Sequence, residues 1–292
     1  MTTFTQLKDG ARVAFQGAPG AFSEEAAIRL LGPGITTVPR ATFELLFSAI
    51  DEGAADALLA PLENSLAGSV VRVYDLLVES RLTIVAETVL PIEMQLIGCP
   101  GATLAGIREV ASHPMALAQC ERFFAAHAEC KRVPAEDTAA SVREVLERGD
   151  KARAGIASRR AAERYGGVIL AEAIQDNAEN FTRFVLLLPA QEGQRLEVPG
   201  ADKMSIVMRL AHKPGALVAA LEAFARHGVN LQKIESRPIH GRPWEYQFFL
   251  EVEAQEPARL EAALAEVRGV TQEARVLGHY RAGHAAGQAA QQ

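Results

Sequence analysis

The chain has 292 residues, of which 49% are hydrophobic and 23% charged, a composition typical of a soluble globular protein with more than one core. A formal net charge of -6 and the lack of a basic run argue against nucleic acid or an anionic membrane surface as the main partner. No apolar stretch is long enough to cross a bilayer and the first residues do not resemble a secretory signal, so we expect a cytoplasmic protein.

Short apolar runs alternate with Ala-rich helical stretches through the first two-thirds of the chain. This alternation predicts βαβ units and parallel sheets. The predicted strands cover residues 13–17, 55–63, 82–90, 94–99, 109–113, 154–158, 168–174 and 182–188. The predicted helices cover residues 23–31, 42–51, 115–127, 139–148 and 159–166.

The pattern changes near residue 190, where prolines, glycines and charged residues predict a linker over residues 190–202. Residues 203–281 then follow the order βαββαβ, which predicts a ferredoxin-like domain. Residues 282–292 lack apolar periodicity and are expected to be disordered. The fold class is therefore α/β, with a larger first domain over residues 10–189.

Several predicted strand-to-helix junctions carry small polar residues. Ser23, Ser112 and Asp137 are candidate helix N-caps, and Asn64–Ser69 precede a further helix. Helix starts offer free N–H groups and a positive dipole end, which attract carboxylate or phosphate. Each residue alone is more often an ordinary cap than a ligand contact, although several such junctions in one domain weaken that interpretation, and no nucleotide-binding glycine pattern is present. The residues therefore indicate a cleft for a small anionic ligand.

A polar loop, Asp176–Asn180, runs directly into a buried strand that begins with Thr182 and Arg183. An arginine at the mouth of a strand can bind a carboxylate with two hydrogen bonds, but an ion pair with a neighbouring glutamate explains it equally well. Extended geometry points Thr182 and Arg183 to opposite sides of the strand. The three cysteines show no metal-ligand spacing and are expected to be free thiols.

These loops resemble the motifs of the prephenate dehydratase family in both order and spacing, over roughly residues 12–280. The matching motifs are VAFQGAPGAFSEEAA, PLENSLAGSVVRVYDLL, SHPMALAQC, DTAAS, IASRRAAERYG and NFTRF. The second domain resembles an ACT domain, with the family's effector motifs as GAL and ESRP. The VAFQGAPGAFS form is closer to the branch that contains plant arogenate dehydratases.

The resemblance implies two α/β lobes around a cleft, as in type II periplasmic binding proteins, with lobes at approximately 10–88 plus 180–189 and at 89–179. It also implies that Thr182 is catalytic. Ser112 and Gln119, seven residues apart, are expected on one face of a single helix. The residues expected to bind substrate are Glu63, Asn64, Ser65, Ser112, Gln119, Arg183 and Phe184. The residues expected to bind an L-phenylalanine effector are Gly215, Ala216, Leu217, Glu235, Ser236, Arg237 and Pro238.

The implied reaction removes carbon dioxide and the ring hydroxyl from prephenate and gives phenylpyruvate, without metal or cofactor. A homodimer or homotetramer, regulated by L-phenylalanine, is expected. The alternatives are an arogenate dehydratase, which differs only in the substrate side chain, and a non-catalytic amino-acid sensor. A transcription regulator is least consistent, because no helix-turn-helix or basic face is visible.

Overall fold

The computed structural model describes residues 7–190, 198–239, 241 and 244–283. These residues divide into two units, with unit 1 formed by residues up to 73 and by 88–184, and unit 2 by 74–87 and by 185 onward. The domain boundaries given above, 10–189 and 203–281, stay a prediction. Within the described residues, no helix combines the length and apolar character needed to cross a membrane.

Unit 1 contains two β-sheets with helices packed on them. The strands of the chain up to residue 189 are β1 (Arg12–Gln16), β2 (Thr36–Arg40), β3 (Ala57–Asn64), β4 (Gly68–Ser69), β5 (Leu82–Pro91), β6 (Gln95–Gly98), β7 (Glu109–Ser112), β8 (Lys131–Pro134), β9 (Arg153–Ala157), β10 (Val168–Ala171) and β11 (Phe181–Pro189). The helices are α1 (Phe22–Leu31), α2 (Phe43–Asp51), α3 (Val71–Glu79), α4 (Pro114–Ala118), α5 (Glu121–Ala126), α6 (Thr138–Arg148) and α7 (Arg159–Tyr165).

The first sheet of unit 1 has the strand order β11-β3-β1-β2, and β1 pairs in parallel with both of its neighbours. The second sheet has the order β10-β6-β9-β7-β8, in which β7 is parallel to β8 and β9 while β6 is antiparallel to β9 and β10. The predicted parallel pairing is therefore confirmed for β1 with β2 and β3, whereas β4 pairs antiparallel with β3 and the second sheet is mixed.

One buried apolar cluster contains side chains from both sheets of unit 1. Phe15 of β1 and Ile97 of β6 belong to it, together with Val142 of α6 and Ala161 of α7. Burial of such side chains is the main favourable term in folding, at about 25 cal/mol per Å² of apolar surface. This cluster packs the two lobes of unit 1 against each other.

Two strands that the sequence pattern does not predict are β2 and β8. Both lie at the ends of their sheets and contain a proline, Pro39 and Pro134 respectively. Proline has no N–H to donate and is confined to sheet edges, and neither strand has a buried residue. Such strands lack the alternation of apolar and polar residues that predicts a strand.

The prediction of a single helix over residues 115–127 is wrong. The structure has two helices, α4 and α5, with a break at Gln119–Cys120. The Asp176 carboxylate accepts hydrogen bonds from the backbone N–H groups of Glu121 and Arg122, at 2.7 and 2.9 Å, and so begins a new helix there. A residue distant in sequence supplies this cap, so local periodicity does not reveal it.

The strand predicted over residues 168–174 ends earlier, at Ala171. Ala173 has a φ of 48°, a left-handed conformation that is incompatible with a continuing strand. Its backbone N–H donates to Gln95 Oε1 at 3.3 Å, a buried side chain at the start of β6. The chain therefore leaves the sheet at Ala171 and enters the polar loop.

Unit 2 contains the predicted βαββαβ motif, and its fold is confirmed. Its strands form the order β13-β14-β12-β15, followed by β5, with β12 antiparallel to both β14 and β15. The elements of this motif are β12 (Lys203–Arg209), α8 (Ala216–Arg226), β13 (Asn230–Pro238), β14 (Tyr246–Glu253), α9 (Pro257–Val270) and β15 (Glu273–Tyr280). Most of the linker and the tail predicted by the sequence lie outside the described residues.

A buried ion cluster lies in the sheet of unit 2. Lys203 Nζ is 3.0 Å from Glu87 Oε1 and 3.0 Å from Glu251 Oε2, and all three side chains are buried. A buried charge is strongly unfavourable unless it is paired, so this lysine holds two carboxylates in the interior.

We expect Lys203→Met to lower the free energy of unfolding by about 3–5 kcal/mol, because it leaves two buried carboxylates without their cation. Urea denaturation followed by circular dichroism measures this change. Lys131→Met, which removes an exposed lysine from β8, is the matched control and should change stability by no more than about 0.5 kcal/mol. Equal stability of the two variants would contradict the prediction.

Candidate active site

The loop after β1 joins the two lobes of unit 1. Ser158 Oγ, at the start of α7, donates to the carbonyl of Gly20 at 2.6 Å, and Arg160 Nε is 2.9 Å from Glu24 Oε2. Burial acts to raise the pKa of Glu24, but hydrogen bonds from Gly20, Arg160 and Thr37 outweigh it and hold this pKa below its ordinary value. The Glu24 carboxylate is therefore ionised at neutral pH and belongs to the framework of the lobes.

Asn64 ends β3 and organises the turn that follows. Its Oδ1 accepts hydrogen bonds from the backbone N–H groups of Leu66 and Ala67, at 3.0 and 2.9 Å. Because two N–H donors occupy this oxygen, the orientation of the Asn64 amide is fixed by the backbone. Its Nδ2 group must then point in the opposite direction, toward the start of β11.

Thr182 receives one of the hydrogen bonds from this amide. Asn64 Nδ2 lies 3.0 Å from Thr182 Oγ1 and also 3.1 Å from the carbonyl oxygen of Phe181. Since Thr182 Oγ1 accepts here, its own hydroxyl hydrogen is left as a donor. Thr182 is 9% exposed, and its hydrogen-bond partner Asn64 is half-buried.

Asn180 continues the same series of amides. Its Oδ1 accepts from Asn64 Nδ2 at 2.8 Å, and its Nδ2 donates to Gln119 Oε1 at 3.1 Å. Asn180 is 1% exposed, whereas Gln119 is half-buried. The Gln119 Nε2 group is therefore directed away from Asn180 as a donor. Asn64, Gln119 and Thr182, all predicted as site residues, are thus brought together through Asn180.

Gln119 is held by its backbone as well. Its carbonyl oxygen accepts from the backbone N–H of Asp176 at 2.7 Å. That carbonyl is available because α4 ends at Ala118 and α5 begins only at Glu121. The break between the helices therefore gives the Gln119 side chain a defined position beside the polar loop.

Glu63 and Arg183 form an ion pair at the same end of β3 and β11. Arg183 Nη2 lies 3.0 Å from Glu63 Oε2, with the arginine side chain 12% exposed and the glutamate side chain 36% exposed. The ion pair left open by the sequence is thus the observed arrangement. As extended geometry requires, Thr182 and Arg183 contact different partners, Asn64 and Glu63 respectively.

Ser65, predicted to bind substrate, makes hydrogen bonds to the loop before β11. Its Oγ donates to the carbonyl of Glu179 at 2.8 Å and accepts from the N–H of Phe181 at 2.9 Å. Its backbone N–H also donates to the carbonyl of Phe181 at 2.8 Å. Ser65 therefore fastens the turn after β3 to the loop before β11.

Two predictions about Ser112 are wrong. Ser112 is the last residue of β7, is 0% exposed, and its hydroxyl donates to the carbonyl of Ile156 at 2.7 Å. His113 is the N-cap of α4, since its Nδ1 accepts from the N–H of Met115 at 3.2 Å. Ser112 and Gln119 are consequently not on one helix. The short helix begins one residue later than a serine cap would require.

Two further side chains differ from their predicted places. Phe184, predicted to bind substrate, is 2% exposed and packs in the core. Ser23 is not the N-cap of α1, because this helix begins at Phe22 with Ala21 as its cap. By contrast, Asp137 caps α6 as predicted, with its Oδ1 2.7 Å from the N–H of Ala140.

The cysteine next to the site does not supply a nucleophile. Burial raises the pKa of Cys120 to about 12, so its thiol stays neutral near pH 7. Cys99 and Cys130 are likewise buried and free, as the sequence predicts. In the described part of the chain, no group of three or more His, Cys, Asp or Glu residues has the arrangement of a metal site.

The predicted effector residues lie in unit 2, at the start of α8 and at the end of β13. Ala216 and Leu217 line a cavity of about 730 Å³ together with Arg209, His212 and Lys213. The ESRP residues, at the end of β13, do not line this cavity. Arg237 Nη2 instead lies 3.2 Å from the Oδ2 atom of Asp75, a residue of α3 in the same unit. The two effector motifs therefore do not both line this cavity.

Sequence reasoning missed Asn180 and Asp176 as residues that shape the site. Both lie in the polar loop that the sequence identifies, and Asn180 is the first residue of NFTRF. The available signal was the density of carboxylate and amide groups directly before a buried strand. Their partners, Gln119 and Glu121, lie about sixty residues earlier, so only the folded chain reveals the contacts.

Comparison with known proteins gives one consistent family. A family model described as prephenate dehydratase matches residues 13–192, and one described as ACT domain matches residues 204–269. Arogenate dehydratase 1 of Petunia hybrida is 41% identical over 92% of this chain. The chain spans 66% of the length of that relative, slightly less than two thirds.

Two solved structures share the fold at 34% identity. One is a prephenate dehydratase from Arthrobacter aurescens in complex with L-Phe, with a TM-score of 0.83 over 93% of this chain and 90% of that one. The other, GqqA, is described as a novel type of quorum-quenching acylase, with a TM-score of 0.84 over 93% of this chain and 98% of that one.

Proposed function

Because the chain belongs to the prephenate dehydratase family, we propose that it converts prephenate to phenylpyruvate, carbon dioxide and water. The ring carboxylate leaves as carbon dioxide, and its bonding electrons enter the ring as the ring hydroxyl departs. The hydroxyl leaves as hydroxide and takes up a proton from solvent to become water. Formation of the aromatic ring makes the reaction strongly downhill, so the enzyme must mainly orient the substrate and assist the leaving oxygen.

The observation that supports this function is the hydrogen-bond state of Thr182. Its Oγ1 accepts from Asn64 Nδ2, which leaves the hydroxyl hydrogen to donate to the leaving oxygen of the substrate. A hydroxyl is a weak acid, so Thr182 acts by hydrogen bonding to the departing oxygen. Assistance of this kind contributes about 10²–10⁴-fold to a rate.

Two further groups suit the carboxylates of prephenate. Gln119 Nε2 is oriented as a donor by Asn180, and Arg183 carries a positive charge beside the same strand ends. In this proposal, Glu63 and Asn64 keep Arg183 and Thr182 in place. Ser112 and Phe184 are buried, so this proposal assigns them no direct contact with the substrate.

Arogenate is the alternative substrate within the same chemistry. It differs from prephenate only in carrying an amino group where prephenate has a keto group. The Petunia relative is named as an arogenate dehydratase, whereas the Arthrobacter structure is named as a prephenate dehydratase. Both names fit one leaving-group mechanism, so the choice of substrate concerns the side-chain end of the pocket.

Acylase activity is a second candidate, since GqqA shares the fold. Amide hydrolysis by a hydroxyl nucleophile needs a neighbouring base that takes the hydroxyl proton. Thr182 instead contacts an amide N–H donor, which withdraws electron density from Oγ1 and does not accept its proton. The arrangement at Thr182 therefore favours the dehydratase. A sensor without turnover would have no use for this donor.

L-Phenylalanine is proposed as the effector, bound by the GAL residues 215–217 and the ESRP residues 235–238. Ala216 and Leu217 line a cavity that the ESRP residues do not line, and this supports a site that is completed by a second copy of the chain. The protein would then be a homodimer or homotetramer. The Arthrobacter relative was solved with L-Phe bound, which supports the choice of ligand.

The test is a turnover assay with prephenate and with arogenate, each with and without L-phenylalanine. We expect phenylpyruvate from prephenate, and a change in rate when L-phenylalanine is present, because the two ligands bind distinct coupled sites. Product from arogenate alone would reassign the substrate. No product from either compound, together with isothermal titration showing L-phenylalanine binding, would establish the sensor instead.

A further inference from the structure

We propose that Asn180 is a positioning residue that sets which end of the Gln119 amide faces the substrate. The proposal rests on the proposed function, in which Gln119 binds a carboxylate of the substrate. Asn180 itself is 1% exposed and lies between the two lobes of unit 1, so it acts through its neighbours. It acts through its hydrogen bonds to Asn64 and Gln119 and not through contact with the substrate.

The direction of the hydrogen bonds begins at the turn after β3. The N–H groups of Leu66 and Ala67 occupy Asn64 Oδ1, which turns Asn64 Nδ2 toward Asn180. A donor at this place requires an acceptor opposite it, so Asn180 must present its oxygen to Asn64. The Asn180 Nδ2 group is then directed at Gln119, as observed at 3.1 Å.

The orientation of the Gln119 amide is fixed in the same way, by the group that faces it. An N–H donor from Asn180 requires the Gln119 oxygen, so the Gln119 Nε2 group is turned outward. The backbone of Gln119 is fixed separately, because its carbonyl accepts from the N–H of Asp176 at 2.7 Å. Asn180 therefore decides only the orientation of the amide and not the position of the residue. An outward N–H group attracts a carboxylate, whereas an outward oxygen repels it.

Asn180→Asp tests this role, because it keeps the oxygen that faces Asn64 and replaces the donor that faces Gln119 by a second oxygen. The Gln119 amide should rotate, donate to the carboxylate, and present its oxygen to the substrate. We expect KM to rise about 10- to 100-fold with kcat within about twofold of wild type, the pattern of a lost binding interaction. Steady-state kinetics with prephenate measure both constants.

The pH dependence of this variant distinguishes orientation from general damage. A buried carboxylic acid has a raised pKa, and its protonated form has an O–H group that can donate to Gln119 as the asparagine does. KM of Asn180→Asp should therefore fall toward the wild-type value as the pH is lowered. The charged groups nearby, Glu63, Arg183, Asp176 and Glu179, are common to both proteins, so wild type over the same pH range is the reference.

Asn177→Asp is the matched control. It makes the same chemical change in the same loop at an exposed residue whose Oδ1 accepts from the N–H of Glu179 at 2.8 Å, a contact that aspartate keeps. Its KM should equal that of wild type. A similar rise in KM in both variants would assign the effect to the added charge and overturn the proposal.

A double-variant cycle completes the test. In a Gln119→Ala background, Asn180→Asp should raise KM less than twofold further, because the amide that it reorients is absent. Should Asn180→Asp not fold, Gln119→Glu places an oxygen outward directly and should raise KM to a similar extent. If wild type turns over prephenate while both variants keep the wild-type KM, the positioning role fails and the proposed function stands. If wild type has no turnover, the proposed function fails first.

Discussion

Thr182→Val is expected to lower kcat by about 10²–10⁴-fold while the protein stays folded. Valine has the shape of threonine but no hydroxyl, so the leaving oxygen of the substrate loses its donor. The remaining acceptors of Asn64 Nδ2, Asn180 Oδ1 and the Phe181 carbonyl, are unchanged, so no buried amide is left without a partner. The free energy of unfolding should change by no more than about 1.5 kcal/mol. Single-turnover kinetics separate the chemical step from product release.

Thr182→Ser supplies the complementary measurement. It keeps the hydroxyl without the methyl group, so part of the activity should return, at a reduced level because the side chain is less constrained. Thr83→Val is the matched control: it removes a hydroxyl that donates to the carbonyl of Leu277 at 3.1 Å within unit 2. Wild-type kcat in Thr182→Val would remove Thr182 from the catalytic role.

Asn64→Asp should lower kcat by about 10²–10⁴-fold, as much as Thr182→Val, although it changes only an amide to a carboxylate. One oxygen still accepts from Leu66 and Ala67, and the other now faces Thr182. The Thr182 hydroxyl then donates to this carboxylate and is lost to the substrate. Asn180 should reorient as well, so KM rises together with the fall in kcat.

The combination of variants decides whether Asn64 acts through Thr182. In a Thr182→Val background, Asn64→Asp should lower kcat by less than about threefold, since the donor that it captures is already absent. Additive losses in the double variant would show an independent role for Asn64. Circular dichroism and urea denaturation exclude loss of fold as the cause in either case.

The order of strands and helices was predictable because the buried strands are runs of apolar residues and the helices have apolar residues at helical spacing. β11 and β12 each contain an uninterrupted run of buried residues, and both were predicted. The βαββαβ motif of unit 2 followed from the same signals. The edge strands β2 and β8 were not predicted, because a strand at a sheet edge needs no apolar face and tolerates a proline such as Pro39 or Pro134.

The site was predictable to the level of its loops and not of its hydrogen bonds. Asn64, Gln119 and Thr182 lie together as the family motifs imply, while Ser112 is buried one residue before the cap that it was expected to form. The residue that caps a helix depends on where the preceding strand ends and the chain turns. A difference of one residue in that position changes which side chain forms the cap. Asn180 escaped prediction because its role depends on partners that only the fold brings near.

The turn after β3 carries a consequence for how this protein can vary. The two groups that begin the chain of oriented amides, the N–H groups of positions 66 and 67, belong to the peptide backbone, and both residues are exposed. Any amino acid except proline supplies such a group. Homologues and laboratory libraries can therefore diversify these two positions without reversing the orientation of the Asn64, Asn180 and Gln119 amides.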